Sequence, residues 1–322
     1  MGRVEAVCTS HKKGQRKSPV PVARLVAGQG IEGDAHAGPW HRQISILAAE
    51  DVEQVRHNGL ADIKHGDFAE NLVLSGVDLD GLGLGSRLRF GSQVELSITQ
   101  LGKVCHAPCR IYHLTGDCIM PRRGLFARVE VGGEVVVGDE AQILQCVPRS
   151  HFQVVVLTIS DRCSRHEAVD TAGPAVTQLV CETMEAHVYA QEILPDEQTM
   201  IADRLRHYCD GHSIDLVLTV GGTGFSPRDV TPEATCDVVE RPAPGLDEAM
   251  RAASLIISPH AMLSRGCSGI RGSTLIVNLP GSQRAAVENL TVIIPALPHG
   301  LAKLRGDTSD CGPIHVVNLD HV

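Results

Sequence analysis

Aromatic residues are scarce in this chain: one Trp, three Tyr and five Phe, 3% of 322 residues. Its cores must therefore be built mainly from Val, Leu, Ile and Ala. No apolar run approaches the roughly 18 residues of a membrane span, so no bilayer crossing is expected. The first residues, MGRVEAVCTSHKKGQRKSP, are basic without an apolar segment behind them and do not read as a secretory signal. Positive charge in excess is missing as well. The formal net charge of −9 argues against a general nucleic-acid binder. Common nucleotide fingerprints are also absent, since the glycine cluster GGTG has no GK[ST] after it and lacks GxGxxG spacing.

What is plentiful is cysteine. Eleven occur, an odd number at irregular spacing, which fits reduced thiols in a cytoplasmic protein better than a disulfide framework. Cys8, Cys146, Cys163, Cys181, Cys209, Cys236 and Cys311 follow no pairing pattern and read as small buried hydrophobes.

The length suits two domains, and the character of the sequence changes near 146–151. The division is placed at 1–148 and 149–322. Before the break, short strand-like runs at 44–47, 72–74, 86–90, 94–98, 126–131 and 134–137 are separated by glycine turns, with a helix at 48–57. This half is expected to be mostly β, a barrel-like or sandwich sheet. After it, strands at 154–159, 188–193, 214–220 and 274–278 alternate with helices at 174–186, 198–209, 231–239, 245–255, 282–290 and 295–303. That alternation predicts an α/β three-layer fold with a mostly parallel sheet and helices on both faces.

Ligands of open α/β sheets bind beyond the carboxyl ends of the strands, where polar turns follow each predicted strand. The most informative is LVLTVGGTGFSPRDVTPEAT at 216–235. An apolar strand stops at Gly221, Gly222, Thr223 and Gly224; Ser226, Arg228 and Asp229 follow; Thr231 reads as N-cap and Pro232 as first residue of a helix. Glycines let successive backbone N–H groups converge on phosphate oxygens, and Asp229 suits a divalent cation riding on them. The other strand ends add Asp161, Asp196 and the run Asn278, Leu279, Pro280, Gly281, while Ser264 and Arg265 lie in a basic loop upstream. Each has a plainer reading: GGTG as a tight turn, Asp161, Asp170 and Asp196 as helix caps, Arg265 and Arg271 as a solvated face. Taken together, carboxylates, glycine amides and arginines at one sheet edge are the parts of nucleotidyl or phosphoryl transfer.

The stretches LTISDR, ILPDEQ, LVLTVGGTGFSPRDVTPEAT, PGLDEAMR, MLSRG and LIVNLPGS, in that order, closely resemble the molybdopterin adenylyltransferase family across about 152–307. The resemblance implies Mg2+, with ATP and molybdopterin as substrates, and formation of adenylylated molybdopterin with release of pyrophosphate. It assigns the catalytic and metal-binding carboxylates to Asp196 and Asp229. Cofactor binding falls to Gly221, Gly222, Thr223, Gly224, Ser226, Arg228, Ser264, Arg265, Asn278, Pro280 and Gly281. It further implies a homo-oligomer, a trimer, working with other molybdenum cofactor synthesis proteins or molybdoenzymes in the cytoplasm.

In the N-terminal half Cys105, Cys109 and Cys118 fall close to Arg110, Arg122 and Arg123. The spacing lacks the second close pair of a structural zinc site. A thiolate activated by nearby arginines fits better, with inert buried cysteines as the alternative. GIEGDAHAGPWHRQISIL, GDFAENLVLSGVDL, LGKVCHAPCRI and CIMPRRGLFARVEVGGEVVVGDE resemble a MOSC domain over about 3–144. That resemblance implies a β-rich fold and a cysteine, matched to Cys109, that handles sulfur or the molybdenum cofactor. His36, His41 and Arg42 either line the same site or cap the strand at 44–47. The leading expectation is a fusion acting late in molybdenum cofactor synthesis. The alternative is a non-catalytic binding and carrier protein for molybdopterin or the cofactor. A reductase of N-hydroxylated compounds ranks below both, since no redox-partner domain is evident.

Overall fold

The computed structural model describes residues 2–102, 112 and 118–309. The chain divides into two compact units, Met1–Gln153 and Val154–Val322. Among the described residues no helix is long and apolar enough to cross a membrane.

The first unit contains strands β1 (Gly2–Thr9), β2 (Ser18–Val20), β3 (Val22–Val26), β4 (Gly30–Ile31), β5 (Ile44–Ala48), β6 (Leu72–Ser75), β7 (Arg87–Phe90), β8 (Val94–Leu101), β9 (Leu125–Val131), β10 (Gly133–Val136) and β11 (Glu140–Gln145). Seven form a ring in the order β11-β7-β8-β9-β5-β6-β1, closed by the pairing of β1 with β11. Closure removes the open edges that a flat sheet would expose. Alternation makes it work: in β7 and β8 the inward Leu88, Phe90, Val94, Leu96 and Ile98 are fully buried, while Arg87, Arg89 and Glu95 turn outward and pair with one another. A smaller sheet, β10-β3-β4, accompanies the barrel.

The sequence pattern marked β5 to β10 and the helix Ala49–His57, but missed β1 to β4 and β11. β1, GRVEAVCT, buries Val4, Ala6 and Val7 between charged residues, and the short strands after it are broken by Pro21 and Gly28. Such segments hold their conformation through pairing with distant partners, which no local window contains.

The second unit is a six-stranded sheet in the order β13-β12-β14-β17-β16-β15, from β12 (Phe152–Ile159), β13 (Ala186–Leu194), β14 (Leu216–Val220), β15 (Arg241–Pro242), β16 (Ser268–Arg271) and β17 (Thr274–Leu279). β12, β14 and β17 run parallel in register. Their residues are buried on both faces, Val154 to Leu157, Leu216 to Leu218 and Ile276 to Val277 without exception. That is the near-continuous apolar run expected of a parallel sheet covered on both sides. Helices Ala172–Thr183, Pro244–Ile257 and Gln283–Ile293 pack in one group, and Gln198–Gly211 packs with Thr231–Cys236 in another. Ala172–Thr183 turns Val176 and Val180 inward and Gln198–Gly211 turns Ile201 and Leu205 inward, i, i+4 stripes of an amphipathic helix.

The expected mostly parallel sheet continues on one side into two antiparallel strands, β16 beside β17 and β15 at the edge. They were invisible because Ser268–Arg271 contains a glycine and two polar residues, and becomes a strand only through its hairpin with β17.

Candidate active site

The carboxyl ends of β12, β14 and β17 lie side by side, so the turns after them converge. The tightest point joins two glycines: a methyl group on Gly281 would sit 3.2 Å from the Gly221 Cα, and one on Gly221 would strike the Ile159 carbonyl at 2.3 Å. Both Gly221 and Gly222 have positive φ, +113° and +62°, conformations that side chains disfavour.

The glycine loop spends its carbonyls on the protein. Gly222 O accepts from the Thr231 N–H at 3.1 Å, Thr223 O from the Arg265 N–H at 2.9 Å, and Gly224 O from Arg265 Nε at 2.7 Å. The N–H groups of Gly222, Thr223 and Gly224 have no hydrogen-bond partner among the described residues. Consecutive amides left over in this way form a concavity suited to an anion.

Two carboxylates flank that concavity. A Cβ on Gly222 would lie 3.0 Å from Asp196 Oδ1, and one on Gly224 would lie 2.8 Å from Asp229 Oδ2. Asp196 Oδ2 accepts the Asp161 N–H at 2.7 Å, and the Asp196 N–H donates to Asp161 Oδ1 at 3.1 Å, a reciprocal clasp between two strand ends. Asp229 Oδ2 closes its own turn by accepting the Ser226 N–H at 2.9 Å. Each aspartate keeps Oδ1 without a hydrogen bond among the described residues. Burial pushes the Asp196 carboxyl above the ordinary carboxylate range, and the neighbouring charges of Asp161 and Asp229 push the same way.

Asp161 differs because Arg228 reaches it through two hydrogen bonds, Nε to Oδ2 at 2.9 Å and Nη2 to Oδ1 at 3.0 Å. This pairing holds the Asp161 carboxyl below its usual range. Arg228 also bonds Glu197 Oε1 at 2.9 Å, so the adjacent Arg228 and Asp229 diverge to different partners.

Three cap assignments are corrected. Asp196 does not cap the helix Gln198–Gly211: Glu197 occupies that position and makes no side-chain cap bond, because the Asp196 carboxylate turns toward Asp161 and Gly222. Thr231 is not an N-cap but the first residue of its helix, fully buried, with its Oγ1 against Gly222. Asp170 does act as a cap, accepting from the N–H groups of Ala172 and Gly173. Ser160, rather than Asp161, caps Asp161–Ser164.

Arg265 and Arg271 separate. Arg265 holds the glycine loop from beneath, bonding the Gly224 and Asp229 carbonyls and the Glu233 carboxylate. Arg271 forms a two-point pair with Asp210 at 2.8 Å. Asn278 is fully engaged as well: Nδ2 donates to Thr219 Oγ1 at 2.8 Å and Thr235 Oγ1 at 2.9 Å, and Oδ1 accepts the Cys267 N–H. Beside these lies a cleft of about 240 Å³, lined by Ser264, Gly266, Asn278 and Pro280 together with Asp247, Met250, Arg251 and His260. The sequence pattern did not mark Glu197, Glu233 or the cleft residues Asp247 and Arg251, whose partners lie far away in the chain.

Comparison with known proteins decides the family. Residues 155–299 match the family model described as "probable molybdopterin binding domain". The molybdopterin adenylyltransferase of Helicobacter pylori J99 is 40% identical over 157 residues, covering 48% of this chain and 89% of that protein. The chain belongs to the molybdopterin adenylyltransferase family. The molybdenum cofactor synthesis protein cinnamon of Drosophila melanogaster is 44% identical over 154 residues, 48% of this chain but 26% of its own length. The chain thus spans about a quarter of that larger relative. The crystal structure of the molybdopterin biosynthesis enzyme MoaB from Thermus thermophilus shares 46% identity, covering 48% of this chain and 98% of that one, with a TM-score of 0.47.

Residues 33–142 match the MOSC domain. Cys105 and Cys109, with Arg110, lie outside the described residues. Cys118 is buried in an apolar cluster with Leu47, Val52, Phe68 and Phe126, the surroundings of a core cysteine. His36 and Arg42 gather around Trp40, with His36 stacked on it and the Arg42 guanidinium 5.1 Å above its ring, while His41 bonds Gln100 at 3.0 Å. Beneath His36 is a fully buried pair, Lys17 Nζ with Asp34 at 2.8 Å, to which Asn71 also bonds. The reading of unpaired cysteines as buried hydrophobes holds for Cys8 alone. Cys146, Cys181 and Cys236 are exposed, Cys163 and Cys209 half-buried, and Cys311 lies outside the described residues.

Proposed function

We propose that the C-terminal unit transfers the adenylyl group of ATP to the terminal phosphate of molybdopterin and releases pyrophosphate. The observation that carries this reading is the glycine loop: its carbonyls are bound inward, three N–H groups are left unpaired, and a carboxylate stands at each end. An oxygen of the pterin phosphate attacks the α-phosphorus of ATP, and the bond to the β-phosphate breaks with its electrons leaving on pyrophosphate. Gly222, Thr223 and Gly224 would hold phosphate oxygens through backbone N–H groups, at no reorganisation cost because Arg265 and Thr231 already fix the loop. Ser264 and the cleft walls at Asn278 and Pro280 would bound the adjoining substrate.

Among the described residues no group of three or more His, Cys, Asp or Glu forms a ready metal cage. Mg2+ does not require one, since it is commonly held by one or two carboxylates and completed by substrate phosphates and water. Asp196 and Asp229, each with an unused Oδ1 and Asp196 under the strain of like charges, fit that role. When bound there, the cation would offset the charge that builds on the departing pyrophosphate.

The N-terminal MOSC unit is proposed to bind or carry the molybdenum cofactor or its sulfur through Cys109. Homo-oligomerisation, as a trimer, is part of the proposal and is supported by exposed apolar residues on the second unit, among them Ile256 at 89%, Met262 at 65% and Ile257 at 57%. Cys8, Cys146, Cys163, Cys181, Cys209, Cys236 and Cys267 carry no disulfide, which supports a reducing, cytoplasmic setting. The test is direct: purified protein with molybdopterin and Mg-ATP, followed by mass spectrometry, should yield adenylylated molybdopterin and one pyrophosphate per product. Binding of both ligands without product would establish a carrier instead.

A further inference from the structure

Cys236 and Cys267 are 31 residues apart in the chain, yet their thiols stand 3.7 Å from each other. Cys236 ends the helix that follows the glycine loop and is exposed. Cys267 is half-buried and immediately follows Gly266, a wall of the cleft. Its thiol reaches Asn278 Oδ1 at 3.4 Å and the Pro232 carbonyl at 3.6 Å. Two residues before it, Arg265 grips the glycine loop.

A disulfide needs its sulfurs about 2.05 Å apart against 3.7 Å here, so closing this pair turns the two side chains or shifts the segments that carry them, and it removes the thiol hydrogen that Cys267 shares with Asn278 and Pro232. The lost contacts are those that seat Cys267 against Asn278, two residues after Arg265 and three after Ser264. We propose that Cys236 and Cys267 form a reversible disulfide that reshapes the 264–267 loop and switches the adjoining site off. The switching rests on the adenylyltransferase reading above; the disulfide itself does not.

The oxidant class is a small-molecule disulfide. The Cys236 thiolate attacks one sulfur of R–S–S–R, forming a mixed disulfide and expelling R–S⁻. Cys267 then gives up its proton and attacks the Cys236 sulfur, expelling the second R–S⁻. Two protein thiols are oxidised and one external disulfide is reduced to two thiols. The order follows from access, since Cys236 is exposed. Burial, with Cys236 close by, keeps the Cys267 thiol well above its usual pKa, which suits the second step rather than the first.

The full chain should be equilibrated in glutathione buffers of graded redox poise, then digested with trypsin without reduction. Peptides 229–251 and 266–271 each hold one cysteine. They should appear joined, two hydrogens lighter than the sum of the free peptides, and separate on reduction. In parallel, adenylylation by the wild type should fall as the link forms and recover on reduction, while Cys236→Ser keeps its rate throughout. Glutathione remaining on Cys236 with no joined peptide overturns the disulfide. A complete link with full activity overturns the switch. If the reduced protein makes no adenylylated product, the enzymatic reading fails while the peptide map still decides the disulfide.

Discussion

Asp196 is held in the fold at a cost that its proposed role explains. Its folded pKa is raised, mainly by burial, so the ionised form is less favourable in the folded chain than in the unfolded one. The contribution to stability is therefore complete below the unfolded carboxylate range near 3.8 and is lost as pH rises through the folded pKa. Asp196→Asn should raise the melting temperature at neutral pH, with the gain shrinking toward zero in acid, as a thermal series from acid to neutral would record. A wild type more stable than the variant at neutral pH would contradict this. Asp161 has the opposite sign. Paired with Arg228, it favours the fold above the carboxylate range and loses that contribution as the solution is acidified. The sequence pattern marked the glycine loop and the strand-end carboxylates Asp161, Asp196 and Asp229, and the family resemblance narrowed these to Asp196 and Asp229. It could not show that Asp196 turns away from its own helix, because the partner that draws it, the Asp161 N–H, comes from a different strand end.

At the scale of elements, the site depends on the packing of one loop beneath another. Arg265 bonds two carbonyls and a carboxylate of the segment 224–233 through a planar fork, a geometry that lysine cannot reproduce. Arg265→Ala should destabilise the second unit by about 1–2 kcal/mol, as expected when half-buried acceptors lose a charged donor, and should weaken Mg-ATP binding. Arg265→Lys should not restore binding. Urea denaturation and calorimetric titration with Mg-ATP would measure the two effects; full recovery by lysine would show that charge alone matters. Strand and helix positions in this half were legible because its elements are locally periodic and apolar. The antiparallel strands β15 and β16 were not, since pairing with neighbours rather than composition makes them strands.

At the scale of the whole molecule, each unit has its own core and its own reporter. The single tryptophan, Trp40, lies in the first unit, so its fluorescence follows that unit alone. Lys17→Ala would leave Asp34 charged and buried without its partner, a loss of about 3–5 kcal/mol. The fluorescence transition should move to lower denaturant, while adenylylation measured in native buffer persists. Loss of activity without any shift in the Trp40 transition would contradict this assignment. Exposed Ile256 supplies a second test at this scale. If it lies in an oligomer contact, Ile256→Glu should convert the wild-type assembly to monomer by light scattering, and an unchanged mass would remove that contact from the account. The barrel was readable as β-rich, but its closure depended on β1 and β11, both among the strands that the sequence pattern did not mark.

In the proposed function, the carboxylates beside Gly222 and Gly224 serve transfer of the adenylyl group. Asp229→Asn is its most direct test, because the amide oxygen can still accept the Ser226 N–H and keep the turn while the charge is lost. The measurement is the rate of adenylylated molybdopterin formation at saturating Mg-ATP for wild type and variant. The rate should fall on the order of 100-fold, the scale of removing one electrostatic stabiliser from a transition state, with the melting profile preserved. A variant that forms product at the wild-type rate would contradict it.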